Sequence, residues 1–173
     1  FVATAASAAL VASAIVPVAS AAEFADQSKI SSWAADAVAH AVEKGYMKGA
    51  NGNFNPQGTI TKAELAQVLY NALELSPVTD APFTDVPADA WYATAVNAIA
   101  AEGITNGDGN GKFDPTKPVT LAEAANLIVK ALGIKGEADL SKFADASSVP
   151  TWANEAIQAL VANGYIKGAS NNG

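Results

Sequence analysis

The chain has 173 residues, half of them apolar, a net charge of −7 and no cysteine. So acidic a chain is a poor partner for nucleic acid, whose phosphates need a basic surface. The lack of cysteine excludes disulfides, thiolate metal sites and lipid attachment through an N-terminal cysteine.

From Phe1 to Ala22 no residue is charged. Val2 to Val18 reads as the apolar core of an export signal, and Ala19-Ser20-Ala21 as a small-x-small cleavage site near Ala21 or Ala22. Residues 1–22 are therefore expected to be a signal peptide, truncated at its start, because no initiator Met or basic leader precedes it. A retained transmembrane helix is the competing reading. Pro17 and the Ala/Ser richness favour cleavage, which places the remainder outside the cytoplasm.

Beyond Ala22 the chain repeats with a period of about sixty residues. Phe24-Ala25-Asp26 recurs as Phe83-Thr84-Asp85 and Phe143-Ala144-Asp145. Trp33 recurs as Trp91 and Trp152, Gly45 as Gly103 and Gly164, and Gly49 as Gly107 and Gly168. Phe54-Asn55-Pro56 recurs as Phe113-Asp114-Pro115, and Thr61-x-x-Glu64 as Thr120-x-x-Glu123. The segmentation predicted is repeat 1 over 23–75, a linker over 76–82, repeat 2 over 83–134, a linker over 135–142, and an incomplete repeat 3 over 143–173.

Each copy reads as helix, loop, helix. The first helix of repeat 1 carries Ala34, Ala37, Val38, Ala41 and Val42 at the spacing of one buried helical face. Tyr92, Ala95, Val96, Ile99 and Ala100 repeat that spacing, as do Ala153, Ala156, Ile157, Leu160 and Val161. Gly45, Gly103 and Gly164 stand where a C-terminal glycine stops a helix. The second helix opens with a capping box: Thr61 and Glu64 in repeat 1, Thr120 and Glu123 in repeat 2. Ile60 and Leu65 occupy the hydrophobic-staple positions. The predicted buried faces are Leu65, Val68, Leu69, Ala72 and Leu73, then Ala124, Leu127, Ile128, Ala131 and Leu132.

The polar residues have structural readings beside any functional one. Thr61, Glu64, Thr120 and Glu123 are first of all helix caps. Asp26, Asp85 and Asp145 suit turns, although they could accept hydrogen bonds from sugar hydroxyls. Trp33, Trp91 and Trp152 could stack on a sugar face, but filling the joint between helices is the expectation. The run Asp108 to Asp114 fails as a calcium loop: Lys112 takes the fifth position, Phe113 replaces the glycine at the sixth, and Val119 replaces the bidentate Glu at the twelfth. His40 has Ala98 and Ala159 as counterparts and reads as a surface residue. No metal, cofactor or catalytic set is predicted.

The order Phe-x-Asp, Trp, Gly-x-x-x-Gly, Phe-x-Pro, Thr-x-Ala-Glu resembles the S-layer-homology domain. Its pieces here are Phe83-Thr84-Asp85-Val86-Pro87, Trp91, Gly103-Ile104-Thr105-Asn106-Gly107, Phe113-Asp114-Pro115 and Thr120-Leu121-Ala122-Glu123. The resemblance covers Phe24 to Gly173. It implies an all-α protein, with repeats in a pseudo-threefold helical assembly. It also implies grooves between repeats that bind secondary cell-wall polysaccharide, often pyruvylated. The family places an Arg in the Thr-Arg-Ala-Glu motif at the groove, with the early Asp and the Trp nearby.

Carried over by position, the implied polysaccharide-binding residues are Lys62, Asp26, Trp33, Asp85, Trp91, Asp145 and Trp152. Lys62 stands where the family has Arg and would meet a carboxylate as a point charge rather than a bidentate fork. As the first helical residue it is also slightly disfavoured by the helix dipole, which hints at a ligand. The plain alternative makes it one of ten solvated lysines. Leu121 takes the same position in repeat 2 and cannot neutralise an anion. The negative net charge fits an acidic polymer only if cations gather locally, around Lys62, Lys44 and Lys48.

The expected function is non-covalent anchoring of an exported protein to the bacterial wall, with no enzymatic activity in this fragment. Self-assembly, if the whole protein forms a surface lattice, would reside beyond Gly173. The rivals are the anchoring region of a surface enzyme, such as a polysaccharide hydrolase, and a calcium-dependent protein-docking module.

Overall fold

The structure, a computed structural model, describes residues 24–168; the expected signal segment 1–22 lies outside them. Five helices carry the fold: α1 (Ala35–Glu43), α2 (Lys62–Ala72), α3 (Ala93–Ala101), α4 (Leu121–Leu132) and α5 (Asn154–Ala162). Short 3-10 turns precede α1 and α5, and the described residues contain two isolated β-bridges but no strand. The all-α expectation holds. No described helix is long and apolar enough to cross a membrane.

Local chemistry sets the helix ends. In α1 the Gly45 N–H reaches Val42 O and the Tyr46 N–H reaches Ala41 O, with Gly45 at φ +74°. That left-handed residue closes the last turn and satisfies two carbonyls that the helix leaves free. Gly103 and Gly164 end α3 and α5 the same way. Both predicted capping boxes form. Glu64 N–H donates to Thr61 Oγ1 while Thr61 N–H donates to Glu64 Oε2, and Thr120 and Glu123 repeat the exchange.

The packing crosses the repeats. The second helix of repeat 1, α2, packs on the first helix of repeat 2, α3; likewise α4 packs on α5. One core gathers Leu65, Ala66, Leu69, Val96, Ile99, Phe113 and Leu127; a second gathers Ala125, Leu140, Ala153, Ala156, Ile157 and Leu160. Thus α4 serves both cores from two sides, with Leu127 in the first and Ala125 in the second. Its sequence period suggested a single face.

Two expectations about burial fail. No residue of α1 is buried, although its apolar spacing matches that of α3 and α5. A helical face is buried only by a partner, and no helix among the described residues covers α1 as α2 covers α3. Leu132, expected on the buried face of α4, is exposed at the last turn, one residue before Gly133 turns the chain away at φ +62°.

Candidate functional site

Most of the repeat signature is spent on one loop. In repeat 2, Asp85 Oδ1 accepts the Phe113 N–H at 2.8 Å and Oδ2 accepts the Asp114 N–H at 2.8 Å. Asp26 does the same for Phe54 at 2.8 Å and Asn55 at 2.7 Å. The N–H of Phe54, then that of Asn55, holds the Asp26 carboxyl below its ordinary range. For Asp85, burial pushes the carboxyl up, and the N–H groups of Phe113 and Asp114 outweigh it. Phe83 stacks on Phe113 with ring centroids 5.5 Å apart. Gly107, at φ +64°, lies so close that a Cβ would strike the Phe83 ring and the Lys112 carbonyl. Phe-x-Asp, the second glycine and Phe-x-Pro are therefore one lock, and the turn reading of Asp26 and Asp85 is the structural one. Asp145 lies in a turn, where its backbone carbonyl accepts the Ser148 hydroxyl and N–H.

That locked loop then closes on α2. Lys62 N–H donates to Lys117 O at 3.0 Å and Ala63 N–H to Pro115 O at 2.9 Å. Val119 N–H returns to Ile60 O at 2.9 Å. The start of α2 is thus sewn to repeat 2. The Lys62 side chain lies in this junction and is only 11% exposed. Its Nζ sits 5.1 Å from the centre of the Phe113 ring and 3.9 Å from Glu123 Oε1. The reading of Lys62 as a solvated surface lysine is overturned. An ammonium over an aromatic face, beside a capping carboxylate of the next repeat, is positioned rather than free.

Leu121, its counterpart on α4, is exposed. The remaining predicted residues scatter. Trp33 is 87% exposed, Trp91 63% and Trp152 56%, so none fills a joint between helices as expected. Trp91 makes a T-shaped contact with its neighbour Tyr92, with centroids 5.2 Å apart. So exposed an indole is open to contact from outside the fold. Asp108 turns its Oδ1 onto the N–H groups of Asn110 and Lys112, which makes it a turn residue. The N–H of Lys112, then that of Asn110, lowers its pKa.

The S-layer homology domain pattern matches residues 23–66, 82–125 and 142–173. The chain belongs to the S-layer homology domain family. It is 52% identical over its whole length to the Surface-layer 125 kDa protein of Lysinibacillus sphaericus, of which it spans 15%. It is 31% identical to S-layer protein sap of Bacillus anthracis, with 93% of the chain and 20% of that protein aligned. A further relative, 31% identical over 71% of the chain and 30% of its own length, is the Cellulosome-anchoring protein of Acetivibrio thermocellus. These S-layer homology repeats place the chain among exported proteins of the bacterial cell surface. What the family supports for these repeats is a structural, anchoring role rather than a catalytic one.

Sequence reasoning missed two residues. The capping-box spacing marks Glu123 as a cap alone, yet it also faces Lys62 across the junction. The repeat marks Phe113 only as a motif anchor, yet its ring is the floor under the Lys62 ammonium. The signal for both was present, because Thr-x-x-Glu and Phe-x-Pro recur. The pairing of one repeat's lysine with the next repeat's motifs follows only from the packing.

Proposed function

We propose that this chain anchors an exported protein non-covalently to the bacterial cell wall by binding secondary wall polysaccharide at the junction of repeats 1 and 2. The observation that carries this reading is the placement of Lys62. The side chain is largely buried, with its ammonium over Phe113 at an inter-repeat junction. An acidic sugar substituent, such as a pyruvate ketal, would compete with Glu123 for an ammonium already held in place, so little ordering entropy is lost on binding. Trp91, exposed in repeat 2, supplies an aromatic face for a neutral part of the same polymer. The relatives named for surface layers and cellulosome anchoring support attachment to the cell surface as the general role. The latter also keeps open a role as the anchor of a larger enzymatic assembly.

The test is co-sedimentation with purified walls, intact or stripped of secondary polysaccharide, using wild type, Lys62→Ala and Lys62→Arg. Melting temperatures control for folding. Retention on intact walls only, weakened about tenfold by Lys62→Ala and restored by Lys62→Arg, is expected for loss of a single charge-assisted contact. Equal retention on both kinds of wall, or a Lys62→Ala chain that binds as wild type, rejects the reading.

A further inference from the structure

An asparagine followed by glycine can lose its side-chain amide without an enzyme, because glycine has no Cβ to shield its backbone nitrogen. Four such pairs lie among the described residues: Asn51-Gly52, Asn106-Gly107, Asn110-Gly111 and Asn163-Gly164. All four asparagines are exposed, so access does not distinguish them. The glycine N–H, whose nitrogen must attack, does. Gly107 N–H donates to Thr105 Oγ1 at 3.1 Å, and Gly107 is wedged between the Phe83 ring and the Lys112 carbonyl. Gly164 N–H donates to Val161 O at 3.1 Å. The Asn163 side chain is tied as well. Its Nδ2 donates to Ala159 O at 2.8 Å and to Lys135 O at 2.9 Å, and Ala138 N–H donates to Gln158 Oε1 at 3.3 Å, which clamps linker 135–142 to α5. By contrast, the N–H groups of Gly52 and Gly111 have no acceptor among the described residues, and a Cβ on either glycine would meet open space.

Between these two, charge decides. Asn51 and Gly52, at φ +50° and +75°, are the central pair of a hairpin turn closed by Ala50 and Asn53. Residues 50–55 contain no carboxylate. In the other loop, Asp108 Oδ1 accepts the N–H of Asn110 at 2.7 Å and of Lys112 at 3.0 Å, on either side of Gly111. That negative charge opposes removal of the Gly111 proton.

We infer that Asn51 is a site of spontaneous deamidation whose product loosens repeat 1. Solvent takes the Gly52 amide proton, the nitrogen bonds to Asn51 Cγ, and the bond from Cγ to the side-chain nitrogen breaks, releasing ammonia with a proton from solvent. One water then opens the five-membered imide, with no change of oxidation state. Opening at Cγ leaves aspartate; opening at the backbone carbonyl leaves a β-linked chain one methylene longer. The longer chain falls between two fixed points. Gly52 O accepts the Ala25 N–H at 2.9 Å, and Asp26 holds the N–H groups of Phe54 and Asn55. A lengthened turn cannot keep both, so the lock of repeat 1 weakens.

The inference does not depend on Lys62, and its test uses neither wall nor sugar. The whole chain is aged in mildly alkaline buffer, native and, in parallel, unfolded in urea. Peptide mapping by mass spectrometry, with isoaspartate methylation, follows each pair. In urea all four should convert at similar rates. In the native chain Asn51 should convert first, within about tenfold of its unfolded rate, because an exposed turn opens at little cost. Asn110 should follow about threefold more slowly. Asn106 and Asn163 should be slower than Asn51 by about fivefold or more, the worth of the hydrogen bond that holds each glycine. Asn51→Gln, which would need a six-membered ring, should abolish conversion at that position. Asn51→Asp carries the charge without the extra methylene and should melt near wild type, whereas the purified β-linked form should melt lower. Native conversion at Asn106 or Asn163 as fast as at Asn51, or a β-linked form that melts as wild type does, overturns the proposal.

Discussion

The junction of repeats 1 and 2 and the junction of repeats 2 and 3 are built from the same motifs, yet only the first is finished among the described residues. At the first, α2 packs on α3, and the Asp85-locked loop sews Lys62 and Ala63 to Lys117 and Pro115. At the second, α4 packs on α5 and the linker is clamped, but Leu121 at the start of α4 is exposed. The lesson is that a sequence repeat and a packing unit are offset here. Each second helix packs chiefly on the first helix of the repeat that follows it.

The largest test of that offset is in the two cores. Ile99 is fully buried between α2 and α3, whereas Ile157 keeps 8% of its surface exposed between α4 and α5. Ile99→Ala should cost about 2–5 kcal/mol, with Ile157→Ala toward the lower end of that range, because a tighter site collapses less around the cavity. Val38→Ala, at the position of the unburied α1 that matches Ile157, should change stability by less than about 0.5 kcal/mol. Urea unfolding of the three variants measures this. A Val38→Ala cost equal to that of Ile99→Ala would mean that α1 is covered in solution.

How much of this was legible beforehand follows the range of each interaction. Capping boxes and terminal glycines involve residues within a few positions of each other, so Thr61, Glu64, Gly45 and Gly103 could be placed from the sequence. Periodicity predicted that α3 and α5 each have a buried face, and it indicated Ile99 and Leu160. It could not say which helix covers a face, so α1 was expected to be buried and is not. The second side of α4, with Ala122, Ala125 and Val129, was invisible because alanines spread around a helix carry little directional signal. The tryptophans were misjudged for a related reason: a large apolar side chain reports its own preference for burial, not whether the fold supplies a pocket. At the candidate site, the repeat alignment pointed to Lys62, but its Phe113 and Glu123 neighbours come from the next repeat.

The next effect is electrostatic. Both carboxylate oxygens of Asp85 hold the loop that closes the first junction, and the folded-state pKa is lowered from the ordinary 3.8. A lowered acid contributes stability that is fully present above its unfolded pKa and is lost as pH falls through the folded value. The wild type should therefore lose stability on acidification below about pH 4. Asp85→Asn should be less stable at neutral pH and show a flatter decline in acid. Asp145 accepts no side-chain hydrogen bond among the described residues, so Asp145→Asn should leave neutral-pH stability unchanged. Melting temperatures from pH 2 to 7, taken as about two units either side of an acidic group's normal range, separate the two variants. Parallel curves for wild type and Asp85→Asn would remove the carboxylate from the lock.

The smallest effect lies in the caps, and there the comparison is sharpest. The first three N–H groups of α2 all have partners: Lys117 O, Pro115 O and the Thr61 hydroxyl. At α4 the Thr120 hydroxyl takes the Glu123 N–H, while the N–H groups of Leu121 and Ala122 have no protein partner among the described residues. Removing a threonine cap costs about 1 kcal/mol. At α2 the sewn loop holds the first turn in place after the cap is gone, so Thr61→Ala should fall below that value. At α4 nothing comparable buttresses the turn, and Thr120→Ala should reach or exceed it. Hydrogen exchange at Glu64 and Glu123 reads the two sites directly, since each amide loses its acceptor in its own variant. Faster exchange at Glu123 in Thr120→Ala than at Glu64 in Thr61→Ala would locate the difference in the loop of the following repeat. The reverse order would mean that the loop contributes nothing to holding α2.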